Sequence, residues 1–298
     1  MRLVLATEAQ KRARDLVTFS TWGGGLTQAQ FLTRELELRA HPWAARTMST
    51  WLWCADDETV LASCESFVDA ASVGARAGTA AVIASVFTEP QLRGKGHAAA
   101  MLRAVLERLS SCLAVTLFSE IGAGLYQRLG FWSVPAFDTW FDAAAETPAV
   151  EWLEGALPPP VHPAGDDATL RLGLAADRLD WQLCRERFYA RALGRTPLEV
   201  HGARVGASTI TWTAYWKTNE LHVLSLDARD EAALPLLISA ARNAAHRAGL
   251  PLVRVWETRS LAHLPGARRL PRTDELAMFC PLVPGVQAWT QVERGLWA

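Results

Sequence analysis

Basic residues are few in this chain, and lysine is nearly absent. Lysine occurs only at positions 11, 95 and 217, and the 30 Lys and Arg residues face 31 Asp and Glu residues, which gives a net charge of -1. A protein with this balance has no basic stripe with which to neutralise nucleic-acid phosphates or anionic lipid. The composition therefore argues against nucleic-acid and membrane partners.

Long apolar runs are missing as well. No window approaches the roughly 18 apolar residues that a membrane-spanning helix requires. The apolar run that follows Met1 is also shorter than the core of a signal peptide. These two absences predict a cytoplasmic protein.

Cysteine is scarce, and its spacing is irregular. The five cysteines never form a Cys-x-x-Cys pattern, and their odd number does not suit a disulfide framework. The seven histidines are scattered, so neither a zinc site nor a Ser-His-Asp triad is indicated. The sequence predicts reduced core thiols and no metal.

The chain has enough hydrophobic residues, 50% of 298, to form the cores of two domains. Apolar periodicity predicts the order ααβββαβαβ in the first half, with the first three strands in one antiparallel sheet. The predicted helices span 9–19, 27–39, 98–109 and 121–129, and the predicted strands span 50–54, 59–64, 78–88, 112–118 and 137–141.

Prolines mark a change of character after this order ends. The stretch that follows is too rich in proline to continue a helix or a sheet, and it contains Pro148, Pro158–Pro160 and Pro163. The sequence therefore predicts a first domain over 1–145, a linker over 146–168 and a second domain over 169–298.

The second half repeats the strand–helix–strand run of the first half without its glycines. Its predicted elements are helices at 181–193 and 231–248 and strands at 202–216, 220–227 and 252–257. The halves are therefore interpreted as two copies of one fold, of which the second has lost the glycine loop.

That loop, from Arg93 to Ala98, lies between a predicted strand and a predicted helix. Backbone N–H groups at a helix N-terminus bind anions, and Gly94 and Gly96 allow a ligand to approach the backbone. The pattern lacks the Lys-Ser/Thr ending of a Walker loop and the third glycine of a dinucleotide fingerprint. It predicts another phosphate-bearing ligand, with a plain tight turn as the alternative.

Two motifs here resemble those of one superfamily. Arg93-x-x-Gly96-x-Ala98 is similar to the acyl-CoA pyrophosphate loop of the GNAT N-acetyltransferases, and Gln91-x-x-Gly94-x-Gly96 fits the same loop two residues earlier. The segment from Ser119 to Phe131 resembles the closing strand and helix of that superfamily. The resemblance implies an α/β (α+β) GNAT fold with a mostly antiparallel mixed sheet, followed by a degenerate GNAT-like domain.

A closer resemblance covers most of the first half. The stretches LASCES, VIASVFTEPQLRGKGHA and LFSEIGAGLYQRLGF are similar to the fungal lysine N6-acetyltransferases, which also carry a second, GNAT-like domain without the CoA loop. The resemblance implies acetyl-CoA, or another acyl-CoA, as co-substrate and a small-molecule amine as acceptor. The residues that it assigns to the acyl-CoA are Val86, Phe87, Thr88, Arg93, Gly94, Lys95, Gly96, His97, Ala98 and Ser119.

Catalysis by such an enzyme needs an acid for the leaving thiolate and a base for the amine. Tyr126 matches the acid position, and a phenol with a pKa of about 10 is neutral at pH 7. Residues 80–87 contain no carboxylate, so Glu65 is the first candidate for the base and Glu120 the second. A salt-bridged role for Glu65 and a helix-capping role for Glu120 remain alternatives.

The acceptor is less well defined. A free amino acid needs a partner for its carboxylate, and an arginine fork is the usual one. The candidates in the second half are Arg204, Arg254 and Arg259, with Trp22, Trp212 and Trp216 as candidate pocket walls. Three functions remain open: acyl transfer to lysine or a similar small amine, acyl transfer to lysine or ornithine in a peptide with a longer acyl donor, and acyl-CoA sensing without turnover.

Overall fold

The computed structural model describes residues 1–160 and 166–298, so Pro163 and Gly165 of the predicted linker lie outside the described residues. The helices are α1 (Glu8–Trp22), α2 (Gln28–Ala40), α3 (Pro42–Thr47), α4 (His97–Arg108), α5 (Gly124–Gln127), α6 (Ala176–Ala192) and α7 (Leu234–Arg247). No helix in these ranges is both long and apolar enough to cross a membrane.

The strands form two sheets. They are β1 (Arg2–Leu5), β2 (Met48–Cys54), β3 (Val60–Val73), β4 (Arg76–Thr88), β5 (Ala114–Ser119), β6 (Trp132–Ser133), β7 (Phe137–Asp142), β8 (Glu151–Trp152), β9 (Thr169–Leu172), β10 (Gly202–Val205), β11 (Ser208–Tyr215), β12 (Glu220–Asp227), β13 (Leu252–Trp256), β14 (Arg268–Pro271), β15 (Leu276–Pro281) and β16 (Ala288–Trp289).

The first sheet has the order β1-β2-β3-β4-β5-β15-β6, with β9 added to β3 and β16 added to β9. Strands β2, β3 and β4 pair antiparallel, as predicted. Strand β5 pairs parallel to β4 after the α4 crossover. This mixed α/β arrangement confirms the predicted fold class.

The second sheet has the order β14-β7-β13-β12-β11-β10-β8. Strands β12 and β13 pair parallel and are connected by α7, which repeats the unit formed by β4, α4 and β5. The predicted strand at 202–216 is a hairpin of β10 and β11, because Gly206 adopts a φ of +57° at the turn.

The two sheets exchange strands. Strand β7, predicted as the last strand of the first half, pairs with β13 and buries Phe141 in the core of the second sheet. Strand β15, which the sequence analysis did not predict, comes from the far end of the chain and pairs with β5. Periodicity indicates that a segment is a strand but not which strand it will pair with. The boundary predicted at 146–168 therefore remains a prediction. Strand β7, which precedes it, joins the second sheet, and strand β15, which follows it, joins the first sheet.

Helices α1 and α2 begin at capping boxes and bring two arginines to the same side of the first sheet. Thr7 caps α1 with Gln10, and Thr27 caps α2 with Gln30. Helix α1 ends at Trp22, and Gly23 follows as its C-cap. Arg14 of α1 and Arg34 of α2 thereby face the cleft described next.

Candidate active site

A cleft of about 850 Å³ lies where the two halves of the chain meet. This volume falls within the roughly 300–1,000 Å³ of typical small-molecule sites. One side is formed by the end of β4, the start of α4 and the end of β5, and the other side is formed by α1, α2, α6 and the end of β11. The predicted loop and both predicted catalytic carboxylates lie along it.

Strands β4 and β5 separate within the cleft. They pair only from Ala81 to Ile83 on the β4 side, although β4 continues to Thr88. A register shift between Ser63 and Glu65 on the neighbouring strand accompanies a φ of +53° at Ser85. After this bulge, residues 86–88 line the cleft. One edge of this segment pairs with β3, and its other edge, beyond the last residue paired with β5, is open. An extended ligand can add to such an edge.

The glycine loop leads directly into α4. Gly94 and Gly96 have φ values of +77° and +82°, and Gly96 is the N-cap of α4 without any side-chain cap. The first N–H groups of a helix have no acceptor within the helix, and the helix dipole favours an anion there. Arg93, His97 and Ala98 line the cleft with the two glycines. The geometry fits a phosphate-bearing group.

Two of the predicted ligand residues do not line the cleft. Lys95 is exposed in the loop but is not part of the cleft wall. Ser119 is buried and donates a 2.7 Å hydrogen bond to the Gly122 carbonyl, while its oxygen accepts from the Ile121 N–H at 3.3 Å. Its side chain therefore closes the turn after β5.

Tyr126 lies on the short helix α5 and lines the cleft. The side chain is buried, and its ring meets the edge of Phe131 at a centroid distance of 5.8 Å. Burial, with smaller contributions from Cys64 and Glu120, raises the pKa of Tyr126 to about 12. Among the described residues, none forms a hydrogen bond with the Tyr126 hydroxyl. The hydroxyl is therefore protonated at neutral pH and free to donate a hydrogen bond to a ligand.

The two candidate bases have different surroundings. Glu65 is buried and lies 3.2 Å from Arg14, whose guanidinium also donates to Ser63 Oγ and to the Ser85 carbonyl. Glu120 has no ion pair within the described ranges and is open to solvent on one side. Partial burial, followed by the nearby charge of Glu275, raises the pKa of Glu120.

The second half of the chain forms one end of the cleft, named here the acceptor end, with residues that the sequence analysis did not single out. They are Trp181, Arg185, Tyr215, Lys217, Trp297 and Ala298. Nothing in the sequence pattern distinguishes Arg185 from the other arginines of α6, so only the packing of that helix against the first half identifies it.

The arginines predicted to bind a carboxylate lie elsewhere. Each already has an acidic partner: Arg204 with Glu151, Arg254 with Asp138 and Arg259 with Glu231. Of the predicted aromatic walls, Trp22 lines the cleft and meets Phe87 at a centroid distance of 5.8 Å. Trp212 on β11 and Trp216, which follows that strand, are instead buried in the core of the second sheet.

The described ranges contain no group of three or more His, Cys, Asp or Glu residues placed to hold a metal ion. All five cysteines are free thiols, and only Cys184 is partly exposed.

Two family models match the chain. The GNAT acetyltransferase domain matches residues 49–133, and the LYC1 GNAT-like C-terminal domain matches residues 175–273. The first covers the end of β4, the glycine loop and Tyr126, and the second covers α6 and Arg185. No sequence among the curated proteins matches the chain significantly.

Solved structures share the fold at low sequence identity. A GCN5-related N-acetyltransferase from Kribbella flavida is 16% identical, with a TM-score of 0.54 over 93% of this chain and 70% of that one. Eis1 from Mycobacterium abscessus is 12% identical, with a TM-score of 0.58 over 95% and 74%. A putative acetyltransferase from Pyrococcus horikoshii is 12% identical, with a TM-score of 0.54 over 100% and 94%. With this fold and both domain matches, the chain is an enzyme of the GNAT acetyltransferase superfamily.

Proposed function

We propose that the protein transfers an acetyl group from acetyl-CoA to the side-chain amine of lysine or of a similar small amine. Members of the superfamily use acetyl-CoA, which supports the choice of donor. The observation that carries the proposal is the single cleft that holds the glycine loop, the open edge of β4, Tyr126 and a charged acceptor end.

In this proposal the donor binds along β4 and the loop. The backbone of Val86, Phe87 and Thr88 pairs with the pantetheine amides, as an added strand would. The N–H groups at the start of α4 hold the pyrophosphate, with Arg93 beside them. The left-handed φ angles of Gly94 and Gly96 support this role, because they keep side chains away from the anion.

The reaction is direct attack within a ternary complex. The neutral amine forms a bond to the thioester carbonyl carbon and gives a tetrahedral oxyanion, and the C–S bond then breaks. Tyr126 gives its hydroxyl proton to the departing sulfur, and the second amine proton replaces it on the phenol. A phenol with its pKa raised to about 12 holds its proton until the thiolate forms.

Glu120 is the better base of the two candidates. The acceptor ammonium, with a pKa of about 10.4, must lose a proton before it can attack. Glu120 lines the cleft without an ion pair to any described residue, and its solvent-open side gives the proton a route to bulk water. Glu65 instead holds Arg14, and through Arg14 it positions the Ser85 carbonyl at the bulge.

Acylation of lysine or ornithine in a peptide, with a longer acyl donor, is the second candidate. The size of the cleft favours it, since apolar walls that include Phe67, Leu117 and Phe118 provide room beyond an acetyl group.

An acceptor panel tests the proposal and separates the two candidates. The protein is incubated with acetyl-CoA and, in turn, L-lysine, L-ornithine, 1,5-diaminopentane and a lysine peptide. Released thiol is measured, and mass spectrometry locates the acetyl group. We expect turnover with a free amino acid and an amide on its side-chain nitrogen. Turnover with the peptide alone would favour the second candidate. The panel is repeated with a longer-chain acyl-CoA, and binding of both donors without any turnover would contradict both candidates.

A further inference from the structure

Arg185, a partly buried residue, differs from the cleft arginines of α1 and α2. Within the described ranges it has no acidic partner and no hydrogen bond, and its Nε atom is fully buried. The cleft arginines from α1 and α2 are each paired: Arg14 with Glu65, Arg34 with Glu35 and Arg39 with Asp15. Arg93 and Arg128, which also lack acidic partners among the described residues, are exposed.

The surroundings of Arg185 hold its side chain without neutralising it. The guanidinium carbon lies 4.2 Å from the centroid of the Trp297 ring, a cation–π contact that fixes the plane of the group. Neighbouring cations are already engaged, since Arg294 is paired with Glu275 and Lys217 donates a 3.0 Å hydrogen bond to the Trp22 carbonyl. Glu120 is within electrostatic range of Arg185 but forms no ion pair with it, so no described carboxylate pairs with Arg185 at the acceptor end of the cleft.

A charge that is partly buried without a partner is unfavourable, and a ligand of opposite charge would relieve that cost. Burial, together with the charges of Arg34 and Arg294, lowers the pKa of Arg185. The group still remains a cation at neutral pH, because arginine begins from a pKa above 12. A planar anion that accepts two parallel N–H bonds would satisfy it best.

We propose that Arg185 binds the α-carboxylate of a free amino-acid acceptor, and this inference rests on the proposed function. The glycine loop and Arg185 come from different halves of the chain and meet in the same cleft. An amino acid held there by its carboxylate directs its side-chain amine toward the thioester. A diamine has no carboxylate, and a residue within a peptide has an amide instead, so both forgo this contact.

Paired acceptors test the inference. L-lysine, its α-amide and 1,5-diaminopentane are compared on the wild type, Arg185→Gln and Arg185→Lys. We expect Arg185→Gln to raise the KM for L-lysine about 10- to 100-fold, the range for a lost charge-assisted contact, with little change in kcat. The KM for the amide and for the diamine should not change. Arg185→Lys keeps the charge but loses the fork and should lie between the two.

Arg187→Gln is the matched control. Arg187 is also on α6, but its side chain is 43% exposed, pairs with Asp180 at 3.2 Å and does not line the cleft. Thermal unfolding of each variant excludes general damage. Arg185→Gln should change the melting temperature little, because it gives up no hydrogen bond to the described residues, and the lost cation–π contact with Trp297 is offset by removal of an unpaired charge.

Calorimetric titration of the acceptors into the CoA-bound protein separates this inference from the proposed function. If Arg185→Gln raises the KM for all three acceptors equally, or if the wild type does not prefer L-lysine to its amide, the carboxylate site is wrong and acetyl transfer stands. If nothing is acetylated while Arg185→Gln selectively weakens L-lysine binding, the carboxylate site stands and acetyl transfer is wrong. If L-lysine neither binds nor reacts, both are wrong.

Discussion

The Arg14 guanidinium lies 3.2 Å from the Glu65 carboxylate, and both side chains are buried in the wall of the cleft. The same guanidinium donates a 3.1 Å hydrogen bond to the Ser85 carbonyl, where β4 bulges and leaves β5. A carboxylate with this partner is poorly placed to take protons from a substrate. The pair instead connects α1 to the bend that opens the donor site.

Replacing Glu65 with alanine should therefore reduce stability. The change leaves the buried Arg14 with only a longer, 3.8 Å contact to Asp15, a carboxylate that already pairs with Arg39, and should cost about 3 kcal/mol in the free energy of unfolding. Denaturant unfolding measures the loss. The control is Glu58→Ala, because the Arg2–Glu58 pair is exposed on both sides and should contribute less than about 1 kcal/mol. Equal losses in the two variants would argue against a structural role for Glu65.

Glu120→Gln should change how the rate depends on pH. If Glu120 is the base, the wild-type kcat/KM falls as the pH drops through the raised pKa of this carboxyl and is level above it. The variant can use only acceptor that is already neutral. Its rate should therefore be lower at pH 7 by about 100-fold or more and rise with pH toward the amine pKa of about 10.4.

A pH–rate series with L-lysine from pH 5 to 10 checks this prediction, and Glu65→Gln is run beside it. A variant profile parallel to that of the wild type would show that the proton leaves by another route.

Sequence and structure agree best where the signal is local. The glycine loop, the strands β2 to β4 and the helix α4 each have a pattern confined to a short segment, and the structure has each of them at about the expected place. The pairing of β15 with β5 joins Thr116 to Phe279 across most of the chain, and no local pattern encodes such a partner. The sequence does not identify Arg185 for the same reason. Its place in the cleft and its lack of an acidic partner among the described residues depend on how distant parts of the chain pack together.

Gly96→Ala should weaken acetyl-CoA binding. At a φ of +82° an alanine is strained by roughly 1 kcal/mol, and relief of that strain would move the N–H groups that open α4. The expected result is a rise of about 10-fold or more in the KM for acetyl-CoA. Gly206→Ala is the control, because Gly206 also has a positive φ, +57°, with open space around it, but lies in the turn between β10 and β11. Unchanged acetyl-CoA binding in Gly96→Ala would exclude the loop as the pyrophosphate site.

Phe279→Ala should destabilise both halves of the chain together. Phe279 is buried on β15, which comes from the second half and pairs inside the first sheet, so its truncation should cost about 3–5 kcal/mol. Because β7 makes the reciprocal crossing, we expect a single unfolding transition at a lower denaturant concentration. Circular dichroism and tryptophan fluorescence should give the same midpoint. Two separate transitions would show that the halves unfold independently despite the exchanged strands.

The rate of acetyl transfer from acetyl-CoA to free L-lysine, measured for the wild type and for Tyr126→Phe, tests the account most directly. Tyr215→Phe serves as the control, since Tyr215 also lines the cleft but lies at the acceptor end. We expect the wild type to form the side-chain amide, and we expect Tyr126→Phe to lower kcat by about 100-fold or more with unchanged acetyl-CoA affinity. A wild type that binds acetyl-CoA but forms no amide, or a Tyr126→Phe variant with full kcat, would contradict it.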